Sequence, residues 1–128
     1  MRGPRCRWMG DSGRWTVRAR VERFVEPSLL LLLRDRPMHG YELLERLPEL
    51  VPGGGGLDLG NLYRILRGLE EENILTSEWD VDQPGPARRT YELTDTGRGL
   101  LDQWVQALRG TQGAIEAFLK RYGQDERR

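Results

Sequence analysis

The segment from residue 58 to residue 73 constrains the fold of this chain most strongly. Its apolar side chains recur three or four positions apart, which gives an α-helix one hydrophobic face: Leu59, Leu62, Ile65, Leu66 and Leu69. Asp58 can accept a hydrogen bond from the free N–H groups at the helix start, and Asn73 tolerates the left-handed backbone that ends many helices. The segment therefore predicts an amphipathic helix that packs one face against a core.

The polar face of this helix carries its charges in an unusual order. Its N-terminal half holds polar and basic side chains outside the hydrophobic stripe, namely Asn61, Tyr63, Arg64 and Arg67. Three glutamates follow in the last turn, at residues 70–72. This order opposes the helix dipole, which favours acids at the start and bases at the end. Because basic residues near its N-terminus destabilise the helix, their presence there indicates an anionic partner at this surface.

Two further helices are predicted ahead of this one. Pro27 suits the first turn of a helix, and the leucines of residues 29–33 follow it, so that this helix is apolar nearly all round and central to the core. A second, short helix is predicted over residues 38–47, and Pro48 should end it or kink its last turn. Tyr41 in that helix suits either a hydrogen bond to a phosphate or packing in a turn. The glycines at 53–56 then form a flexible connector, which completes a helix-turn-helix.

A β-hairpin is predicted after the amphipathic helix. Residues 74–81 and 87–93 are short and β-rich, and a segment containing Pro84, Gly85 and Pro86 joins them. Arg88 and Arg89 stand just inside the tip, with no acid closer along the chain than Asp82 and Glu92. The arginine pair is a candidate for phosphate or minor-groove contact, because the guanidinium group is a fixed fork of donors. The alternative interpretation is a solvated hairpin edge.

A long last helix is predicted over residues 95–122, after a cap at Thr94. Apolar or small side chains alternate three and four apart along it, as in a coiled-coil seam: Leu101, Trp104, Leu108, Thr111, Ile115, Phe118 and Tyr122. Because this seam exceeds what a small domain needs, we expect a second copy of the chain to cover it. Trp104 either fills that dimer interface or, with its symmetry mate, holds a planar aromatic effector between two indole rings.

The first 20 residues differ in charge from the rest of the chain. The first 20 residues hold six arginines and one aspartate, which leaves 14 bases and 19 acids in residues 21–128 of a chain with no net charge. We interpret residues 1–20 as an unstructured basic arm, which either lies along DNA phosphates or is a tail without function. An early start codon is a further alternative, since Met9 is available. Residues 123–128 are predicted to be a short tail.

The composition argues against several functional classes. Cys6 is the only cysteine and His39 the only histidine, so neither a disulfide framework nor a metal site is expected. The longest apolar run is five residues, far short of the ~20 that cross a bilayer. The first 20 residues lack the apolar core of a signal peptide. We therefore expect a cytoplasmic protein without a membrane partner, a metal, a cofactor or catalytic activity.

Four blocks of the sequence resemble, in order and spacing, the PadR family of bacterial transcriptional regulators. The blocks are PMHGYEL at 37–43, LYRILRGLE at 62–70, SEW at 77–79 and GPARRTYELTDTG at 85–97. The resemblance implies a homodimer, DNA binding by the third helix and the hairpin wing, and repression that a small molecule or another signal relieves. Asn73 departs from the usual glycine, and the glycine run and the basic arm lie outside the family pattern.

The predicted fold class is mainly α with a two-stranded β wing, a winged helix-turn-helix followed by a long dimerisation helix. Residues 21–94 form the winged helix-turn-helix domain and residues 95–122 the dimerisation helix. The first functional hypothesis is a regulator that binds double-stranded DNA through seven residues: Tyr41, Asn61, Tyr63, Arg64, Arg67, Arg88 and Arg89. Asn61 suits reading of a base edge. The alternative hypothesis is a winged-helix module that binds protein instead of DNA.

Overall fold

The computed structural model describes residues 7–9, 15–17, 24–51, 56–80 and 88–126 of the 128-residue chain. Nine helices and strands are labelled here in chain order, and a 3-10 turn at Leu47–Glu49 follows α2. They are β1 (Arg7–Met9), β2 (Trp15–Val17), α1 (Val25–Asp35), β3 (Met38–His39), α2 (Gly40–Arg46), α3 (Leu59–Glu71), β4 (Leu75–Asp80), β5 (Arg88–Leu93) and α4 (Asp95–Glu126).

Helix α1 lies at the centre of the hydrophobic core, as its leucine run predicted. Leu29 and Leu30 are fully buried, and Leu33 is 2% exposed. The Ser28 hydroxyl donates to the Phe24 carbonyl oxygen at 2.8 Å, so this buried polar side chain is satisfied by the start of the helix. Pro27 falls in the first turn, where its missing N–H costs no helical hydrogen bond.

The predicted wing is confirmed, and a third strand joins it. Strands β4 and β5 pair antiparallel from Leu75 opposite Leu93 to Asp80 opposite Arg88. Strand β3 pairs with the other edge of β5, which gives the order β3-β5-β4. The predicted second helix therefore starts at Gly40 rather than at residue 38. A two-residue strand is too short to show an alternating pattern, so the sequence alone could not indicate it.

The residues predicted to mark the two ends of α3 adopt the expected structures. The Asp58 carboxylate accepts a hydrogen bond from the Asn61 backbone N–H at 2.7 Å, and Asn73 has a φ of 62°. Pro48 falls in the 3-10 turn after α2. Of the predicted glycine connector, residues 53–55 lie outside the described residues, as does the wing tip at 81–87. Three leucines of α3 are buried, Leu62, Leu66 and Leu69.

Helix α4 is packed on its own chain only near its start. The Thr94 hydroxyl accepts a hydrogen bond from the Gly97 N–H at 2.9 Å and donates to the Ile74 carbonyl oxygen at 2.9 Å. A Cβ at residue 97 would collide with that same carbonyl, so this close approach requires glycine. Leu101 is 6% exposed within the core, whereas residues 111–122 are all exposed.

Two predictions at the ends of the chain are corrected. Strands β1 and β2 pair antiparallel, with Trp8 opposite Thr16, so residues 7–9 and 15–17 are not unstructured as expected. Three-residue strands escape a periodicity search for the same reason as β3. Helix α4 continues to Glu126, so residues 123–126 belong to the helix rather than to a tail. In the part of the chain that the structure describes, no helix is long and apolar enough to cross a membrane.

Candidate nucleic-acid interface

A cleft of about 780 Å³ separates α2 and α3 from the strands of the wing. Helix α3 presents Tyr63 and Arg67 to it, because these positions lie off the buried stripe of Leu62, Leu66 and Leu69. Strand β5 adds Arg88 and Arg89. The other residues that line the cleft are His39, Gly40, Tyr41, Glu42, Glu45, Trp79 and Tyr91.

The cleft brings together five of the seven residues predicted to contact DNA: Tyr41, Tyr63, Arg67, Arg88 and Arg89. Asn61 and Arg64 are exposed on the same helix but do not line the cleft. The Asn61 side-chain amide donates to the Asp58 carboxylate at 3.3 Å. If Asn61 contacts a base edge, its side-chain amide must therefore give up the hydrogen bond to Asp58.

Gly40 is a residue of the cleft whose role sequence reasoning missed. A Cβ at this position would lie 2.8 Å from Cε1 of Tyr63, closer than carbon atoms normally approach. The absence of a side chain at the start of α2 thus lets the Tyr63 ring lie against it. The Tyr63 side chain keeps 38% of its surface exposed toward solvent. The glycine in the PMHGYEL block was the available signal, since a glycine at a helix start often marks a close approach.

Arg89 has partners that its sequence neighbours did not reveal. Its Nη1 atom lies 3.9 Å from Oε1 of Glu70, and its guanidinium carbon lies 4.9 Å from the centroid of the Trp79 ring. The other oxygen of Glu70 accepts a hydrogen bond from the Ser77 hydroxyl at 2.7 Å. The nearest acids along the chain, Asp82 and Glu92, therefore gave no indication of this contact. The chain folds the end of α3 against β5, which brings Glu70 close across 19 positions.

The floor of the cleft is formed by buried groups of the sheet. Tyr91 is 3% exposed, and its burial raises the pKa of its hydroxyl, while the neighbouring Arg89 opposes that shift. Tyr91 therefore stays neutral at physiological pH. Nδ1 of His39 lies 3.2 Å from the Thr90 hydroxyl, next to the β3–β5 pairing. The single histidine is thus engaged in the sheet.

One of the two acids that line the cleft, Glu42, is balanced by nearby arginines. Glu42 accepts hydrogen bonds from Arg36, which lowers the pKa of the Glu42 carboxyl, and Arg46 pairs with it at 3.3 Å. Arg67 and Arg88 remain with exposed side chains at the cleft. The electrostatic balance of this surface is basic, in contrast to the acidic body as a whole. Within the described ranges, no group of three His, Cys, Asp or Glu side chains could hold a metal ion.

The predicted seam of α4 divides into two parts. Leu101 is buried in the core of its own chain, so its assignment to a dimer interface is corrected. The Trp104 Nε1–H donates to Oε2 of Glu26 at 2.7 Å, which holds the indole against α1. Leu108 is half-buried. The exposed part comprises Ile115, Phe118 and Tyr122, at 53%, 71% and 59% exposure, and also Leu119, which the seam prediction omitted.

Comparison with known proteins decides the family. The model of the transcriptional regulator PadR-like family matches residues 29–103. The chain belongs to the PadR-like family of transcriptional regulators. The match contains the C-terminal part of α1, α2, α3, the wing and the start of α4, so it includes every residue that lines the cleft. The resemblance that the four sequence blocks indicated is confirmed.

Individual relatives of this PadR-like regulator agree with the family. A probable transcriptional regulator of Mycobacterium tuberculosis is 26% identical over 78 residues, which cover 61% of this chain and 41% of that relative. The chain thus spans less than half the length of this curated relative. A solved structure of a conserved protein of unknown function, described as a potential transcriptional factor, has a TM-score of 0.75 and 34% identity. The match covers 86% of this chain and 98% of the solved chain.

The PadR protein of Bacillus subtilis, solved in complex with operator DNA, shares the fold. Its TM-score is 0.58 at 23% identity, and the match covers 67% of this chain and 48% of that one. The winged helix-turn-helix prediction is therefore confirmed by solved structures as well as by the family match.

Proposed function

We propose that this regulator binds double-stranded DNA as a homodimer, through α3 and the wing, and represses transcription until a signal relieves it. The observation that carries the proposal is the cleft, which gathers Arg67, Arg88, Arg89 and two tyrosines between the two elements. Arginine forks and tyrosine hydroxyls are common donors to phosphate oxygens. The operator complex of the Bacillus subtilis PadR protein supports the same use of this fold.

The homodimer is supported by the exposed half of α4. Ile115, Phe118, Leu119 and Tyr122 recur three or four apart, so they form one apolar stripe on an otherwise polar helix. A contiguous exposed apolar stripe marks an interaction surface. Pairing of two copies related by a two-fold axis would cover it. Binding to two half-sites then requires the two α3 helices to lie about one DNA turn, ~34 Å, apart.

Salt dependence is the test of DNA binding. If Arg64, Arg67, Arg88 and Arg89 of both copies neutralise phosphates, the slope of log affinity against log salt approaches about −7. Fluorescence anisotropy with a labelled duplex at several salt concentrations measures this slope. Affinity that does not change with salt would favour the protein-interaction alternative, for which the acidic body of the chain remains an argument.

The proposed signal is a planar aromatic effector near Trp104. Trp104 is half-buried where α1 meets α4, and its N–H is held by Glu26, so a ligand would contact the remaining ring surface. A molecule bound at the dimer axis would alter the spacing of the two α3 helices. Titration with planar aromatic compounds should quench tryptophan fluorescence and weaken DNA binding. Quenching that persists in Trp104→Phe, with DNA affinity unchanged, would leave Trp104 as a packing residue.

A further inference from the structure

The two arginines of the wing have different surroundings. Arg88 is the first residue of β5, beside the wing tip, and its side chain is exposed. Arg89 is contacted by groups from two other elements, the Glu70 carboxylate at the end of α3 and the Trp79 ring on β4. Trp79 is directly opposite Arg89 in the strand register, so its ring is a fixed platform for the guanidinium group.

The contacts to Arg89 orient the side chain without enclosing it. A distance of 4.9 Å between the guanidinium carbon and the ring centroid is within the range of a cation–π contact, which aligns the guanidinium with the ring face. The 3.9 Å separation from Glu70 is too long for a hydrogen bond but close enough for charge attraction. The Arg89 side chain keeps 41% of its surface exposed, so donors remain available to a ligand.

Glu70 is itself held in place. The Ser77 hydroxyl donates to its Oε2 at 2.7 Å, and the Glu70 side chain is only 26% exposed. Ser77, Glu70 and Arg89 therefore connect β4, α3 and β5 in one chain of polar contacts. A carboxylate fixed at this point reduces the net charge that Arg89 offers to phosphate, so the arrangement favours orientation over electrostatic attraction.

We propose that Glu70 and Trp79 are positioning residues that hold Arg89 in one orientation, so that Arg89 discriminates between DNA sequences while Arg88 supplies unselective phosphate attraction. An ordered arginine loses less conformational freedom on binding and tolerates fewer geometries than a mobile one. Its planar fork suits a base edge or a narrow minor groove. This inference rests on the proposed DNA-binding function.

The first experiment compares Glu70→Gln with Glu71→Gln. Both substitutions remove one negative charge from the last turn of α3, but of the two glutamates only Glu70 contacts Arg89. The probes are a duplex selected from a random pool by the wild-type protein and a random-sequence duplex of equal length. The ratio of the two affinities is measured over a salt series, after circular dichroism has shown that each variant is folded.

We expect Glu70→Gln to lower the affinity ratio by about tenfold, because a well-placed arginine contact discriminates by about that factor. Its binding to the random duplex should strengthen, with a salt slope steeper by up to about one unit for each copy, since Arg89 then acts as an uncompensated charge. Glu71→Gln should leave the ratio unchanged. Equal ratios for Glu70→Gln and Glu71→Gln would overturn the inference.

The second experiment tests the aromatic platform. Trp79→Phe keeps a flat ring beneath the guanidinium and should retain the affinity ratio, whereas Trp79→Leu should lower it about threefold. Arg89→Lys should lower the affinity ratio, whereas Arg88→Lys should change the affinities for both duplexes by the same factor and so keep the ratio. A ratio that falls equally in the two lysine variants would refute the division between the arginines. Salt-insensitive binding by the wild-type protein would instead refute the proposed DNA binding itself.

Discussion

The cleft and the C-terminal half of α4 both expose aromatic rings, but the neighbours of those rings differ. In the cleft, Trp79 is 58% exposed and stacks with Arg89. On α4, Phe118 is 71% exposed and shares its stripe with Ile115 and Tyr122. Aromatic rings beside oriented cations suit a polar, anionic ligand, whereas a contiguous apolar stripe suits a matching apolar surface. The comparison therefore separates the proposed surface for nucleic acid from the proposed surface for a second copy.

The largest expected effect is on the α4 stripe. Phe118→Asp would bury an unpaired carboxylate in the proposed dimer interface, which costs about 3–5 kcal/mol and should yield monomers. Analytical ultracentrifugation measures the change, and affinity for the selected duplex should fall with it. Leu108→Asp should act in the same direction, although Leu108 is half-buried in its own chain and its substitution also disturbs the fold.

A matched control for this effect lies one residue earlier. Ala117 is exposed on α4 and, at 3.6 residues per turn, faces away from the stripe of Ile115 and Tyr122. Ala117→Asp adds the same charge and should leave the dimer intact. A wild-type protein that sediments as a monomer, or a Phe118→Asp variant that remains dimeric, would contradict the interface.

The next effect concerns the cleft. The double substitution Arg88→Ala with Arg89→Ala should weaken binding to all duplexes and flatten the salt slope by up to roughly one unit for each copy, because Glu70 already offsets the charge of Arg89. The dimer should be unaffected. Removal of two exposed arginines of α4, Arg109→Ala with Arg121→Ala, is the charge-matched control and should change the slope less. An unchanged slope in the wing variant would show that the two arginines lie on a solvated hairpin edge and do not contact phosphates.

A smaller effect is expected from Gly40, where α2 begins in the same cleft. Gly40→Ala places a Cβ 2.8 Å from the Tyr63 ring, which must move because it is the more mobile partner. We expect a loss of stability of about 1 kcal/mol and a several-fold loss of DNA affinity. Gly68→Ala in α3 meets no atom within 4 Å and should raise stability by about 0.5–1 kcal/mol. Thermal unfolding and anisotropy distinguish the two variants.

The smallest effect is a pH dependence of stability at Tyr91. Burial raises its pKa in the folded chain above the ordinary value of 10.0, so the folded state resists ionisation of this hydroxyl. Stability is therefore unaffected by Tyr91 below pH 10 and falls as the pH rises above it, where the unfolded chain ionises first. The midpoint of thermal unfolding should fall less between pH 9 and pH 11 in Tyr91→Phe than in the wild-type protein. The variant keeps the buried ring but has no hydroxyl to ionise. Identical pH profiles would contradict this assignment.

Sequence reasoning was accurate where neighbouring residues determine the structure. The Asp58 cap, the left-handed Asn73 and the buried stripe of α3 depend on contacts within a few positions, and all three are confirmed. Strand β3 was missed because its formation depends on pairing with β5, about 50 residues away. The contact between Arg89 and Glu70 was missed for the same reason, since Glu70 belongs to another element.

The sequence by itself determined the family, the order of the main helices and the wing, and five residues that meet in one cleft. Helical periodicity, capping chemistry and the four family blocks are local patterns, so they can be read without a structure. Only the tertiary structure decided that Leu101 belongs to the core, that Trp104 is tied to Glu26 across 78 positions, and that Arg89 is held by Glu70 and Trp79. These contacts join elements far apart in the chain, and only packing around the core brings their side chains within bonding distance.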